Sequence, residues 1–115
     1  MAVFVRAGFS VAPDQRQQFE LVAAELRSVA HTEQGVIGYE WHAGDEPNGY
    51  LVIEHFADSS AMITHAEIAA GLLEQLAAVS RMTFMELYGE VSSELRAKVA
   101  SMPQSLRIYA PAAQG

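Results

Sequence analysis

The spacing of apolar and polar positions changes several times along the chain, and each change marks an element. Residues 2–10 crowd Val and Phe into a short run, which predicts a strand. Pro13 suits the first residue of a helix, where its missing N–H costs nothing. Phe19, Val22, Ala23, Leu26, Val29 and Ala30 then recur at helical spacing, with Asp14, Gln15, Gln18 and Glu25 on other faces. Gly35 is a stop and restart. Residues 36–43 predict a second strand, with Tyr39 and Trp41 on one face and Glu40 and His42 on the other. The segment 44–49 is a turn. A two-residue Asn48-Gly49 turn would set His42 opposite His55 and Trp41 opposite Phe56, while Pro47 leaves room for a longer loop. Residues 50–57 are the third strand. Asp58 or Ser59 caps the next helix. Its apolar stripe is Met62, His65, Ala69, Leu72, Leu73 and Leu76, with Gly71 as a point of irregularity. Residues 82–91 predict a fourth strand. Ser92 or Ser93 caps a short helix over 94–101 that Pro103 stops. Residues 105–110 read as a small fifth strand before a loose tail.

The order β-α-β-β-α-β with an appended helix is the split βαβ, ferredoxin-like arrangement of an α+β domain. Right-handed crossovers put both long helices on one face of an antiparallel sheet. The other face lacks a cover, yet the strands carry large apolar residues on both sides: Phe4 and Val5, Val52 and Ile53, Phe84 and Met85. An exposed apolar sheet face marks an interaction surface. The expected solution is a homodimer packed sheet against sheet. One domain over 1–115 is expected, with a core at 2–100 and a C-terminal extension at 101–115.

Charge narrows the choice of partner. Seven basic against fourteen acidic residues give a net charge of −7, which argues against nucleic acid and anionic membranes as partners. There is no cysteine, so neither a disulfide frame nor thiolate chemistry. The N-terminus has no secretory pattern, and no apolar run approaches a membrane span. The expected location is the cytoplasm.

The stretch from Leu51 to His65 puts ionisable groups where the pattern expects burial. Gln34-Gly35, then Tyr39-Glu40, then Glu54-x-Phe56-x-Asp58-x-x-Ala61-x-x-x-His65 resembles the antibiotic biosynthesis monooxygenase family, over roughly residues 2–100. The resemblance implies a small dimeric α/β barrel. It also implies cofactor-independent oxygenation of a small phenol or quinol, in which the deprotonated substrate gives an electron to O2 and no flavin or metal is needed. The residues at 84–89 and 92–96 resemble the longer quinol-monooxygenase-like members. Haem-degrading members use an Asn, a Trp and a His where this chain has Arg6, Phe56 and Gln75, so that activity is not expected.

His65 is the acid–base candidate, since imidazole titrates near neutrality. Trp41, Phe56 and Tyr39 share one side of the hairpin and can wall an aromatic substrate. Glu54 lies on the same side, and Arg6 in the first strand could reach a phenolate. Each has a plainer reading. His65 can be a core residue bonded to a carboxylate, and Glu54 can be the structural partner of His65 or of Arg6. Trp41 and Phe56 can be core, and Arg6 an ion-pair or dimer residue. His42, His55 and His65 lack the spacing of a local metal site, and no metal is expected. Two rivals stand beside the oxygenase: a non-catalytic ligand-binding or stress-related dimer, and an isomerase of a small carbonyl compound.

Overall fold

A computed structural model describes residues 1–46, 48–102 and 105–113. Strand β1 (Val3–Ser10) leads through a single 3-10 turn at Pro13–Gln15 into helix α1 (Arg16–Ala30). The hairpin β2 (Val36–Ala43) and β3 (Gly49–Phe56) follows. Two helices, α2 (Ser59–Ile68) and α3 (Ala70–Ala78), lead to β4 (Arg81–Gly89). Helix α4 (Ser93–Val99) and strand β5 (Ser105–Tyr109) complete the fold. The strands form one open sheet in the order β2-β3-β1-β4-β5, antiparallel except for β4 with β5. This is the α+β, ferredoxin-like arrangement, extended at one edge by β5.

Alternation along the strands sorts the two faces. Val3, Val5, Ala7 and Phe9 of β1 are buried and face Phe19, Val22 and Leu26 of α1, while Phe4 and Arg6 point the other way. On that outer face Phe4 stacks on His55, with ring centroids 4.1 Å apart. Tyr88 stacks on Tyr109 at 5.3 Å. Phe4 and Ile53 stay exposed there. Among the described residues no helix covers the outer face, which carries exposed apolar and aromatic side chains beside charged ones.

The hairpin register differs from the tight-turn expectation. Trp41 pairs with Val52 and His42 with Leu51, while His55 pairs with Gly38. The connection spans residues 44–48, because Gly44 donates to the Gly49 carbonyl at 2.9 Å and closes a longer loop; Pro47 lies outside the described residues. The shift is four positions, an even number, so every side chain keeps its face. Tyr39, Trp41, Glu54 and Phe56 thus still point to the helix side.

The second long helix is two helices. The break falls at Ala69 rather than Gly71, with Ala69 at φ −90 and ψ 5. Asp58 caps α2 by accepting from the Ala61 N–H at 2.8 Å. Ser59 instead accepts from the Ser92 N–H at 2.9 Å, tying the start of α2 to the start of α4. Ser92 caps α4 through the Leu95 N–H, and α4 ends at Val99, two residues short of its expected end. Pro103, its expected stop, lies outside the described residues. At the end of β4, Gly89 has φ +123 and passes so close to the Ala2 carbonyl that a Cβ there would collide with it.

Candidate active site

Between the inner face of the sheet and helices α2, α3 and α4 lies a cavity of about 200 Å³. Its polar corner is made by Tyr39 of β2, Glu54 of β3 and His65 of α2, with Trp41 beside them. Apart from Lys98, the rest of its described wall is apolar. Two of its lining residues, Ala66 of α2 and Lys98 of α4, are exposed, so the cavity opens between those two helices.

His65 is 4% exposed and sits where one turn of α2 faces the loop after α1. Its Nδ1 is 2.9 Å from Glu33 Oε2, and its Nε2 is 4.0 Å from Glu54 Oε1. A carboxylate on Nδ1 favours the tautomer that carries its proton there. That leaves the Nε2 lone pair on the side of Glu54 and the cavity. The ring is also gripped by Tyr39 and Phe56, with centroids at 5.4 and 5.6 Å.

The approach of Glu33 has a local cause. Gly35 lies so close to Ala61 that a Cβ on it would stand 2.5 Å from the Ala61 Cβ. The Gly35 carbonyl also accepts from the Ala57 N–H at 2.8 Å. These small residues let α2 settle onto the loop. One helical turn beyond Ala61, His65 then meets Glu33.

Glu54 has no hydrogen-bond partner among the described residues. Burial pushes its carboxyl up to about 8, with the nearby charge of Glu33 adding to the effect. At neutral pH it is therefore largely protonated and can donate a hydrogen bond. The Tyr39 phenol is held well above its ordinary value, first by burial and then by the Glu54 charge, with the neighbouring Trp41 N–H opposing both. Tyr39 stays protonated throughout the working range. The Trp41 N–H itself is buried and, among the described residues, meets no acceptor with the geometry of a hydrogen bond.

The structure thus brings together His65, Glu54, Tyr39 and Trp41. Phe56 is fully buried and packs on His65 without lining the cavity. Arg6 stands apart. It projects from the outer face, where its Nη2 is 2.8 Å from Glu86 Oε1 and its guanidinium lies over the Phe84 ring. Its neighbour across β3 on that face is Ile53, so Arg6 reaches neither Glu54 nor the cavity. Tyr88 also donates to Glu86. The Tyr88 hydroxyl first, and then Arg6, hold the Glu86 carboxyl below the usual carboxylate range. Glu33 is the partner that periodicity missed. It belongs to a loop and no repeat points to it; the signal available was a carboxylate two residues before the one glycine that a close helix–loop contact requires.

Comparison with known proteins agrees with this architecture. The antibiotic biosynthesis monooxygenase family model matches residues 2–70. No curated protein matches the chain at a significant level in sequence. Among solved structures, MupZ from Pseudomonas fluorescens superposes with a TM-score of 0.84 at 14% identity, over 99% of this chain and 93% of that one. SnoaB from Streptomyces nogalater, a cofactor-independent oxygenase, gives 0.66 at 21% identity, over 80% and 95%. A conserved protein from Methanosarcina mazei gives 0.71 at 19%, over 76% and 91%. Identities this low speak for the fold, and the family model spans more than half of the sequence. The chain belongs to the antibiotic biosynthesis monooxygenase family.

Proposed function

We propose that this protein is a cofactor-independent monooxygenase of a small phenol or quinol, with His65 as the base. The observation that carries the reading is a buried imidazole on the wall of an apolar cavity, anchored through Nδ1 by Glu33. SnoaB, of the same fold, is described as a cofactor-independent oxygenase. The substrate hydroxyl gives its proton to Nε2. The protonated Glu54 donates to a substrate oxygen, and Tyr39 and Trp41 flank the ring. The resulting anion passes an electron to O2, and the radical pair combines at a ring carbon. The hydroperoxide so formed breaks its O–O bond with loss of the ring proton and of water. A phenol and O2 thereby become a quinone and water, and the substrate supplies every electron. A dry cavity protects the anion and the radical pair from solvent.

Oxygen uptake by metal-free, flavin-free protein with a panel of phenols and hydroquinones tests this. Uptake above the uncatalysed rate, falling roughly a hundredfold or more in His65→Ala, is the expected result. Uptake at the uncatalysed rate, or unchanged in the variant, would overturn it.

One observation favours a second reading. An imidazole base and a neutral carboxyl 4.0 Å apart also form a proton-relay pair suited to isomerising a small carbonyl compound. That reaction needs no O2, so turnover under nitrogen separates the two. We further propose a homodimer that joins the outer sheet faces, supported by exposed Phe4 and Ile53 on that surface.

A further inference from the structure

We propose that the cavity is built for an amphipathic anion, a phenol joined through an apolar spacer to a carboxylate, and that Lys98 selects the anionic end. The identity of the phenolic end rests on the reading of His65 and Glu54 given above; the role of Lys98 does not.

Lys98 is the one lysine or arginine among the residues that line the cavity, and it stands at the opening. Among the described residues no carboxylate forms a salt bridge with it. In a chain with fourteen acidic residues and a net charge of −7, an unpaired cation at the mouth of an apolar cavity is a local exception to the overall charge. A ligand anion that stays at the mouth keeps part of its hydration and gains the ammonium, whereas one drawn inside would lose its hydration and meet no lysine or arginine among the described lining residues.

The wall away from the polar corner suits an apolar spacer. It includes Met62, Met82, Met85 and Met102, four of the five methionines of the chain. Unbranched thioethers adapt to a chain of variable shape better than branched side chains do. The floor runs from Trp41 on β2 across β3 and β1 to Met85 on β4. Three strand spacings make that on the order of 14 Å, longer than a single phenol ring. A bare phenol would leave much of this wall without a partner.

Trp41 is the single tryptophan and lines the cavity, so its fluorescence reports occupancy directly. The test titrates a homologous series of ω-(para-hydroxyphenyl)alkanoic acids, and the matching neutral para-alkylphenols, into wild type, Lys98→Gln, Lys98→Glu and Lys98→Arg. Lys98 is exposed, so these substitutions leave the core intact. At the best spacer length the acid is expected to bind about fivefold tighter than the neutral phenol. The preference should vanish in Lys98→Gln, invert in Lys98→Glu, persist in Lys98→Arg and weaken with added salt. Neutral phenols should bind all four proteins alike. Equal binding of acid and neutral phenol by wild type, a preference that survives in Lys98→Gln, or no binding of either series overturns the proposal. Oxygen uptake measured on the same samples separates the two claims. Uptake without a carboxylate preference defeats the role of Lys98 alone, and Lys98-dependent binding without uptake defeats the oxygenase alone.

Discussion

At the scale of single residues, Glu54 has the clearest consequence. A carboxyl whose value is raised from 4.5 to about 8 on folding binds more protons in the native state than in the unfolded state across that interval. Its contribution to stability is fully present below about 4.5 and is lost as pH rises through 8. Glu54→Gln removes this dependence while keeping the shape. The variant should gain stability over wild type by on the order of a few kcal/mol as pH climbs from about 5 to 9. Urea unfolding of both proteins across that range checks it, and a difference that does not change with pH would contradict it. The sequence made Glu54 and His65 visible as polar groups on apolar faces. Periodicity did not make Glu33 visible, because a loop residue has no period; only its place two residues before Gly35 pointed to it. Arg6 shows the converse. Alternation puts it on the face opposite Glu54, and the partner that holds it, Glu86, comes from β4, eighty positions along the chain.

At the scale of elements, the join of loop and α2 decides whether the imidazole is anchored. Gly35 and Ala61 touch through atoms attached directly to backbone, so no side chain can swing aside. Gly35→Ala should lower stability by about 1–3 kcal/mol, the usual range for overpacking. Ala61→Gly in the same protein should restore most of it, and thermal unfolding of the four members of the cycle measures the coupling. The same contact explains why this part of the fold was legible. The Asp cap, the Ala and the His all lie on one strand-to-helix connection where local chemistry dictates each, and Gly35 meets it from the loop before β2. The hairpin was less so. Its faces followed from alternation, but its register depends on which loop backbone bonds close, and Asn48-Gly49 satisfies a short loop as well as the longer one that forms. The break at Ala69 carries no breaker residue at all. Beyond it, Leu76 is the only buried residue of α3.

At the scale of the whole molecule, the two sheet faces divide the work. The inner face carries the cavity, and the outer face exposes Phe4 and Ile53 beside stacked rings. If the outer faces pair, Ile53→Lys should shift sedimentation from dimer to monomer at micromolar concentration while leaving the far-ultraviolet circular dichroism unchanged. A wild type that sediments as a monomer would remove the homodimer. The sheet order also sets a timetable. Strand β1 is made first yet lies in the middle, with Val3 against Phe56 on one side and Gly89 on the other. During synthesis the earliest strand must wait for β3, and then for β4, before both its edges are paired. At the usual elongation rates of ~5–20 residues per second, several seconds pass between the emergence of β1 and that of β4. Such distant pairings place folding among the slower topologies. Until β4 arrives the cavity lacks Met82 and Met85, so its floor is completed only after His65 and its partners Glu33, Tyr39 and Glu54 have all emerged.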